Sequence, residues 1–158
     1  MKKMIFIGIW AFAFVACTNT KAIADSEKLM RGSWTVTDVS ISGVNEKSVM
    51  VNVFDEASLK CYEGSSWELV QNNASGTYTL GSGSDCPQQT NKIKWFITEE
   101  GGQSYFNFKR IGDERPKNVV DGYKLRITSN TGSSIALVQD LLFEGKPINI
   151  HYTFQKNQ

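Results

Sequence analysis

Three cysteines and one histidine are the side chains here with the widest chemical range, and their spacing narrows what they can do. Cys17 stands alone near the start, whereas Cys61 and Cys86 are 25 positions apart. There is no Cys-x-x-Cys, and His151 lies far from both later cysteines, so no metal site is expected. The sequence lacks Gly-x-Ser-x-Gly, His-Glu-x-x-His and P-loop patterns. His151 alternates with Ile150 and Tyr152 in a strand-like run, which places it on an outer face and denies it to a Ser-His or Cys-His dyad. The carboxylate pairs Glu99-Glu100 and Asp113-Glu114 fall in turn-like stretches, with no cleft to desolvate an acid or base. A non-catalytic protein is expected, with no cofactor.

Cys17 has a different context. Met1-Lys2-Lys3 is a short basic start, and Met4 to Ala16 is apolar and uncharged, shorter than the roughly 20 residues a spanning helix needs. The ending Phe14-Val15-Ala16-Cys17 resembles the lipobox of bacterial lipoproteins, with Phe14 where Leu is usual. That resemblance implies cleavage after residue 16, palmitate and other acyl chains on Cys17, and a lipid-anchored protein of the cell envelope. Thr18 lacks the acidic character linked to inner-membrane retention in some bacteria, so the outer membrane is expected. A rival site, Ala22-Ile23-Ala24, would release a soluble periplasmic protein beginning at Asp25.

Removing Lys2 and Lys3 with the leader turns seventeen basic residues into fifteen against sixteen acidic ones, about −1 net. That balance excludes a nucleic-acid partner, which needs a basic face or stripe. In an exported chain the Cys61 and Cys86 pair favours a disulfide, and closing that loop stabilises by roughly 3.5 kcal/mol in the chain-entropy model. The alternative is two buried thiols. The span 17–28 is polar and without pattern and reads as a tether, and residues 29–158 as one domain.

Positioning these groups falls to strands. Asp25 to Arg31 holds enough for one short N-terminal helical turn, after which period-two alternation takes over. Strands are expected to begin near Trp34, Trp67, Thr77, Lys92, Ser104, Gly122, Ser133 and Ile148. Trp34 and Val36 share one phase and Val39 and Ile41 the other, which predicts a bulge near Thr37-Asp38. In the poorly patterned stretch 43–60, Val49, Val51 and Val53 alternate, and Asp55 to Lys60 could form a helical turn leading to Cys61. Eight antiparallel strands with hairpin connections predict an all-β, eight-stranded up-and-down barrel, with a two-sheet sandwich as the competing architecture.

Together the leader, Gly32-Ser33-Trp34, Glu63-Gly64-Ser65-Ser66-Trp67, Gly76-Thr77-Tyr78, Trp95, Phe108-Lys109-Arg110, Gly122-Tyr123 and Tyr152-Thr153-Phe154 resemble the lipocalin-like lipoproteins of Gram-negative bacteria, a calycin-like group. The resemblance implies a lipocalin-like barrel with Gly32 and Trp34 at its floor and a late basic residue over that indole, for which Lys156 is the nearest candidate. Unlike in lipocalins proper, no helix is expected after the last strand.

Trp67, Tyr78, Trp95, Phe106, Phe108 and Tyr123 are the candidate lining of a cup for a small hydrophobic or amphipathic ligand. The same rings could instead pack the barrel solid, and Phe106 and Phe108 could face outward if Tyr105 and Asn107 face in. In that case the protein would be an interaction module, docking a protein or envelope polymer through its outer face or the charged loop 112–121 that holds Asp113, Glu114, Arg115 and Lys117. A monomer is expected.

Overall fold

The computed structural model describes residues 16–45, 50–112 and 122–158. The apolar leader and most of the charged loop 112–121 lie outside the described residues. Helix α1 (Ala16–Met30) leads into β1 (Gly32–Ser42). A small hairpin, β2 (Asn52–Val53) and β3 (Ala57–Ser58), and a short helix α2 (Leu59–Tyr62) follow. Seven more strands complete the chain: β4 (Ser66–Val70), β5 (Ser75–Thr79), β6 (Thr90–Glu100), β7 (Gln103–Ile111), β8 (Tyr123–Asn130), β9 (Ser134–Phe143) and β10 (Lys146–Lys156).

Eight of these strands close into an antiparallel barrel in the order β1-β10-β9-β8-β7-β6-β5-β4, each paired with its sequence neighbour except where β1 meets both β4 and β10. Alternation drives this arrangement. In β6 Ile93, Trp95 and Ile97 are buried while Lys92, Lys94 and Phe96 are not. In β10 Ile148, Ile150, Tyr152 and Phe154 take the inner phase. The phase change in β1 is resolved where expected: Val36 pairs with Phe154 and Asp38 with Thr153, so Thr37 is the bulged residue and Val39 joins the core. His151 sits on the outer phase, 2.9 Å from the Ser42 hydroxyl.

The N-terminal helix is longer than the single turn expected near Asp25–Arg31 and takes in the stretch read as a patternless tether. Its protected positions are Ile23, Ser26, Glu27 and Met30, one helical stripe of which only two members are apolar. Docking on the barrel fixes this helix, which its weak pattern could not announce. Among the described residues no helix is long and apolar enough to cross a membrane.

At the floor the Trp34 indole is fully buried and donates from Nε1 to the Met30 carbonyl at 2.8 Å, joining α1 to β1. Lys156 Nζ lies 5.2 Å from the Trp34 ring centre. Gly32 makes room for that crossing. Its φ is +120°, and a Cβ there would stand 2.9 Å from Lys156 Cε. The Gly-x-Trp motif is thus a floor joint: the glycine admits the lysine stem and the indole receives its charge.

At the opposite end, the mouth, residues 50–65 fold over the opening. Cys61 of α2 is bonded to Cys86 of the β5–β6 loop, with Cα atoms 5.5 Å apart, so the expected disulfide is present. Gly81 N–H also donates to the Cys61 carbonyl at 2.7 Å.

Candidate functional site: a polar seat at the barrel mouth

All six candidate cup residues belong to the inner side. Trp67 stacks on Tyr78 with centroids 4.4 Å apart, and Phe108 meets Trp67 edge-on at 5.4 Å. Phe106 touches both Trp95 and Phe108, at 5.9 and 5.7 Å. Phe106 and Phe108 therefore face inward, not outward. Tyr123, at the mouth, is only half-buried and lies 5.2 Å from Phe108. These rings pack on one another.

The last place in that cluster is taken by a residue from outside the barrel wall. Phe54, at the tip of the β2–β3 hairpin, is buried against Tyr62, Phe108, Tyr123 and Tyr152, with centroids 4.8 to 5.7 Å away. The turn that delivers it is closed by Glu56 N–H to the Val53 carbonyl at 3.1 Å, and both central residues have positive φ, Phe54 at 50° and Asp55 at 52°. That is a type I′ geometry, which favours Asn and Gly. A phenylalanine held there costs roughly 1–3 kcal/mol, which its ring contacts inside the barrel help to offset.

Two residues on, Glu56 enters a ring of donors. Its Oε2 accepts from Tyr78 OH at 2.5 Å and Tyr62 OH at 2.8 Å, and lies 3.3 Å from Arg110 Nη1. Its Oε1 accepts from Asn91 Nδ2 at 2.8 Å. The Glu56 side chain is 5% exposed and that of Arg110 30%, so the carboxylate is sealed while the guanidinium keeps one side toward water. Arg110 Nη2 donates to Tyr123 OH at 3.2 Å, and Tyr123 OH donates to the Phe54 carbonyl at 2.6 Å. Burial pushes the Tyr62 and Tyr78 hydroxyls far above their ordinary range, followed at Tyr62 by its neighbour Tyr78 and then Glu56, and at Tyr78 by Glu56. Burial also raises Tyr123, where Arg110 opposes it. Burial works against the Arg110 charge, but Tyr78, Tyr123 and Glu56 facing it leave its affinity for a proton above the usual value. At neutral pH the seat is therefore a cation and three hydroxyl donors.

The barrel wall is incomplete beside this seat. The β8–β9 ladder begins at Arg126 and Val138; Tyr123 and Lys124 on one side and Gln139 to Leu141 on the other flank a cleft of about 410 Å³. Phe54 and Asp55 form its inner wall. Outside, Arg126 grips Asp140 through Nε at 3.1 Å and Nη2 at 2.8 Å, pinning the seam just below the opening. Gln139 is buried and accepts from Tyr152 OH at 3.0 Å.

Of the seat, the sequence marks Tyr78 and Tyr123 as candidate lining, and Arg110 enters only within the Phe108-Lys109-Arg110 stretch that carries the family resemblance. Arg110 and Asn91 carried a readable signal: each falls on the inner phase of its strand, with Phe106 and Phe108 in one case and Ile93 and Trp95 in the other. A polar residue on an apolar face is the informative exception. Glu56 and Phe54 carried none, because a two-strand hairpin of this size has no periodicity. Among the described residues no cluster of His, Cys, Asp and Glu could hold a metal. No family model, curated protein or solved structure matches the chain.

Proposed function

We propose that the protein is a lipid-anchored binding protein of the bacterial cell envelope, related to the lipocalin-like lipoproteins, that takes a small amphipathic molecule at the barrel mouth. The anchor is Cys17, and the address is the outer membrane. The observation that carries the binding role is the mouth itself. A short, strained hairpin places one ring and one carboxylate into a site built by six other elements, α2, β5, β6, β7, β8 and β10, and an open seam leads to them. On this reading the hairpin is a removable stopper, and the ligand replaces it rather than entering a standing void.

Native mass spectrometry of the protein purified from its own membranes tests the reading, and a non-covalent adduct is the expected result. Protein that is consistently free of adduct, and that also takes up no amphiphile in titration, would refute it. Cys17→Ser should leave the protein unprocessed or soluble; continued membrane retention would remove the anchor from the proposal.

The packed interior favours a second reading, in which the barrel is a scaffold and its outer surface docks a protein or envelope polymer. Leu142, 77% exposed near the β9–β10 tip, fits such a surface. Substitutions in loop 112–121 should then abolish capture of the partner from solubilised membranes, while Tyr123→Phe should not.

A further inference from the structure

Resting on the mouth-binding reading above, we propose that Arg110, Tyr62, Tyr78 and Asn91 form a carboxylate receptor, that Glu56 fills it as an internal ligand, and that the molecule bound in its place is a compact carboxylic acid with an apolar body.

The donor census selects the head group. Four donors from four elements, α2, β5, β6 and β7, converge on two oxygens, at 2.8 and 2.5 Å from the tyrosines, 2.8 Å from the amide and 3.3 Å from the guanidinium. A carboxylate is acceptor-only with room for about four hydrogen bonds, and it neutralises the arginine. An alcohol accepts fewer bonds and leaves the guanidinium charge uncompensated. An ammonium group brings more donors to a ring of donors. The body is selected by Phe54: the space it holds is bordered by the rings of Tyr62, Phe108, Tyr123 and Tyr152. Below it Trp67 and Phe108 close the shaft, so a long acyl chain has no path downward, whereas a phenyl or short alkyl group fits Phe54's own place.

Glu56 is the exchangeable member of the group. The donors stand on the barrel wall or on α2, which a disulfide ties to the β5–β6 loop; the acceptor stands on a turn whose flanking strands are two residues each. That turn bears positive φ at two non-glycine positions, and once its ring and carboxylate leave the barrel nothing holds the backbone in that conformation. The 410 Å³ cleft lies against the moving residues. Because the internal carboxylate competes with any external one, apparent affinity is reduced by the fraction of time the seat is vacant.

The test is calorimetric titration of the full chain in lipid nanodiscs, with empty nanodiscs as reference, using 4-phenylbutanoate, 4-phenylbutan-1-ol and 4-phenylbutylamine. In the wild type the acid should bind about 10-fold or more tighter than the alcohol, and the amine should not bind. Glu56→Gln should tighten the acid by about 10-fold, with near-ultraviolet circular dichroism verifying the fold. Phe54→Ala, which opens the body's place without touching the charge, should tighten acid and alcohol alike. Arg110→Gln should erase the preference for the acid and retain the alcohol. Equal binding of all three probes, or an acid affinity unmoved by Glu56→Gln, overturns the carboxylate receptor while leaving mouth binding intact. Absence of binding by every probe in the wild type, Glu56→Gln and Phe54→Ala defeats both.

Discussion

Replacing Glu56 by alanine should destabilise the protein by about 2–3 kcal/mol, and the structure says where that comes from. The carboxylate accepts three hydrogen bonds shorter than 3 Å and faces a guanidinium at 3.3 Å, in a seat where its own side chain is 5% exposed. Bonds to a charged group contribute roughly 1.5–3 kcal/mol, and removing one partner of a fully buried ion pair costs roughly 3–5 kcal/mol. The upper figure does not apply, because Arg110 at 30% exposure can turn partly to water. Tyr62 also retains the Val53 carbonyl, 3.2 Å away, as an alternative acceptor. What remains is Tyr78 and Asn91 without their acceptor and a half-solvated cation. Urea unfolding followed by tryptophan fluorescence is the assay; the midpoint should fall with the slope unchanged. Glu56→Gln should lose about half as much, since the amide oxygen still accepts from Tyr78 or Tyr62. A loss below about 0.5 kcal/mol for the alanine variant would refute the reasoning, because it would place the carboxylate in the range of exposed ion pairs.

Three further outcomes are expected. Reduction of the Cys61–Cys86 bond, or Cys61→Ser with Cys86→Ser, should cost about 3 kcal/mol, read as a lower urea midpoint without loss of the barrel's far-ultraviolet signal. Gly32→Ala should destabilise by more than about 1 kcal/mol, since it combines a φ of +120° with a 2.9 Å approach to Lys156 Cε, and should change Trp34 emission by shifting the cation above the ring. Burial raises Tyr62, Tyr78 and Tyr152 in the folded protein above the unfolded value near 10. Their contribution to stability is therefore complete below about pH 10 and is lost as pH rises toward the folded values. Tyrosinate absorbance at 295 nm should report their ionisation together with unfolding, and ionisation of all five tyrosines in a still-folded barrel would contradict the burial.

The barrel was legible because its strands repeat a simple contrast. Ile93, Trp95 and Ile97 against Lys92 and Lys94, or Ile148 through Phe154, can satisfy burial only as pleated segments with one dry face. Even the β1 bulge could be read, since Val36 and Val39 cannot share a face without it. The stopper hairpin could not be. Its turn residues are Phe and Asp where the geometry favours Asn and Gly, so local chemistry points away from the conformation that the barrel imposes. The stretch 43–60 is poorly patterned, Val49 lies outside the described residues, and β2 is only Asn52–Val53. Helix α1 was hidden for a related reason: half of its protected stripe is Ser26 and Glu27. In each case a contact made at long range outweighs the preference of the segment itself.

The pairing of β1 with β10 carries a kinetic meaning. Trp34 is the register partner of Lys156, so the circumference is completed only when residues more than a hundred positions apart meet. Until then the strands form a curled ribbon that runs from β1 through β4 to β10, with β1 and β10 as its unpaired edges, the form most exposed to aggregation. The lysine crossing the indole is thus the latch of the last seam to form, and variants that weaken it should accumulate sticky, unclosed chains before they visibly lower equilibrium stability.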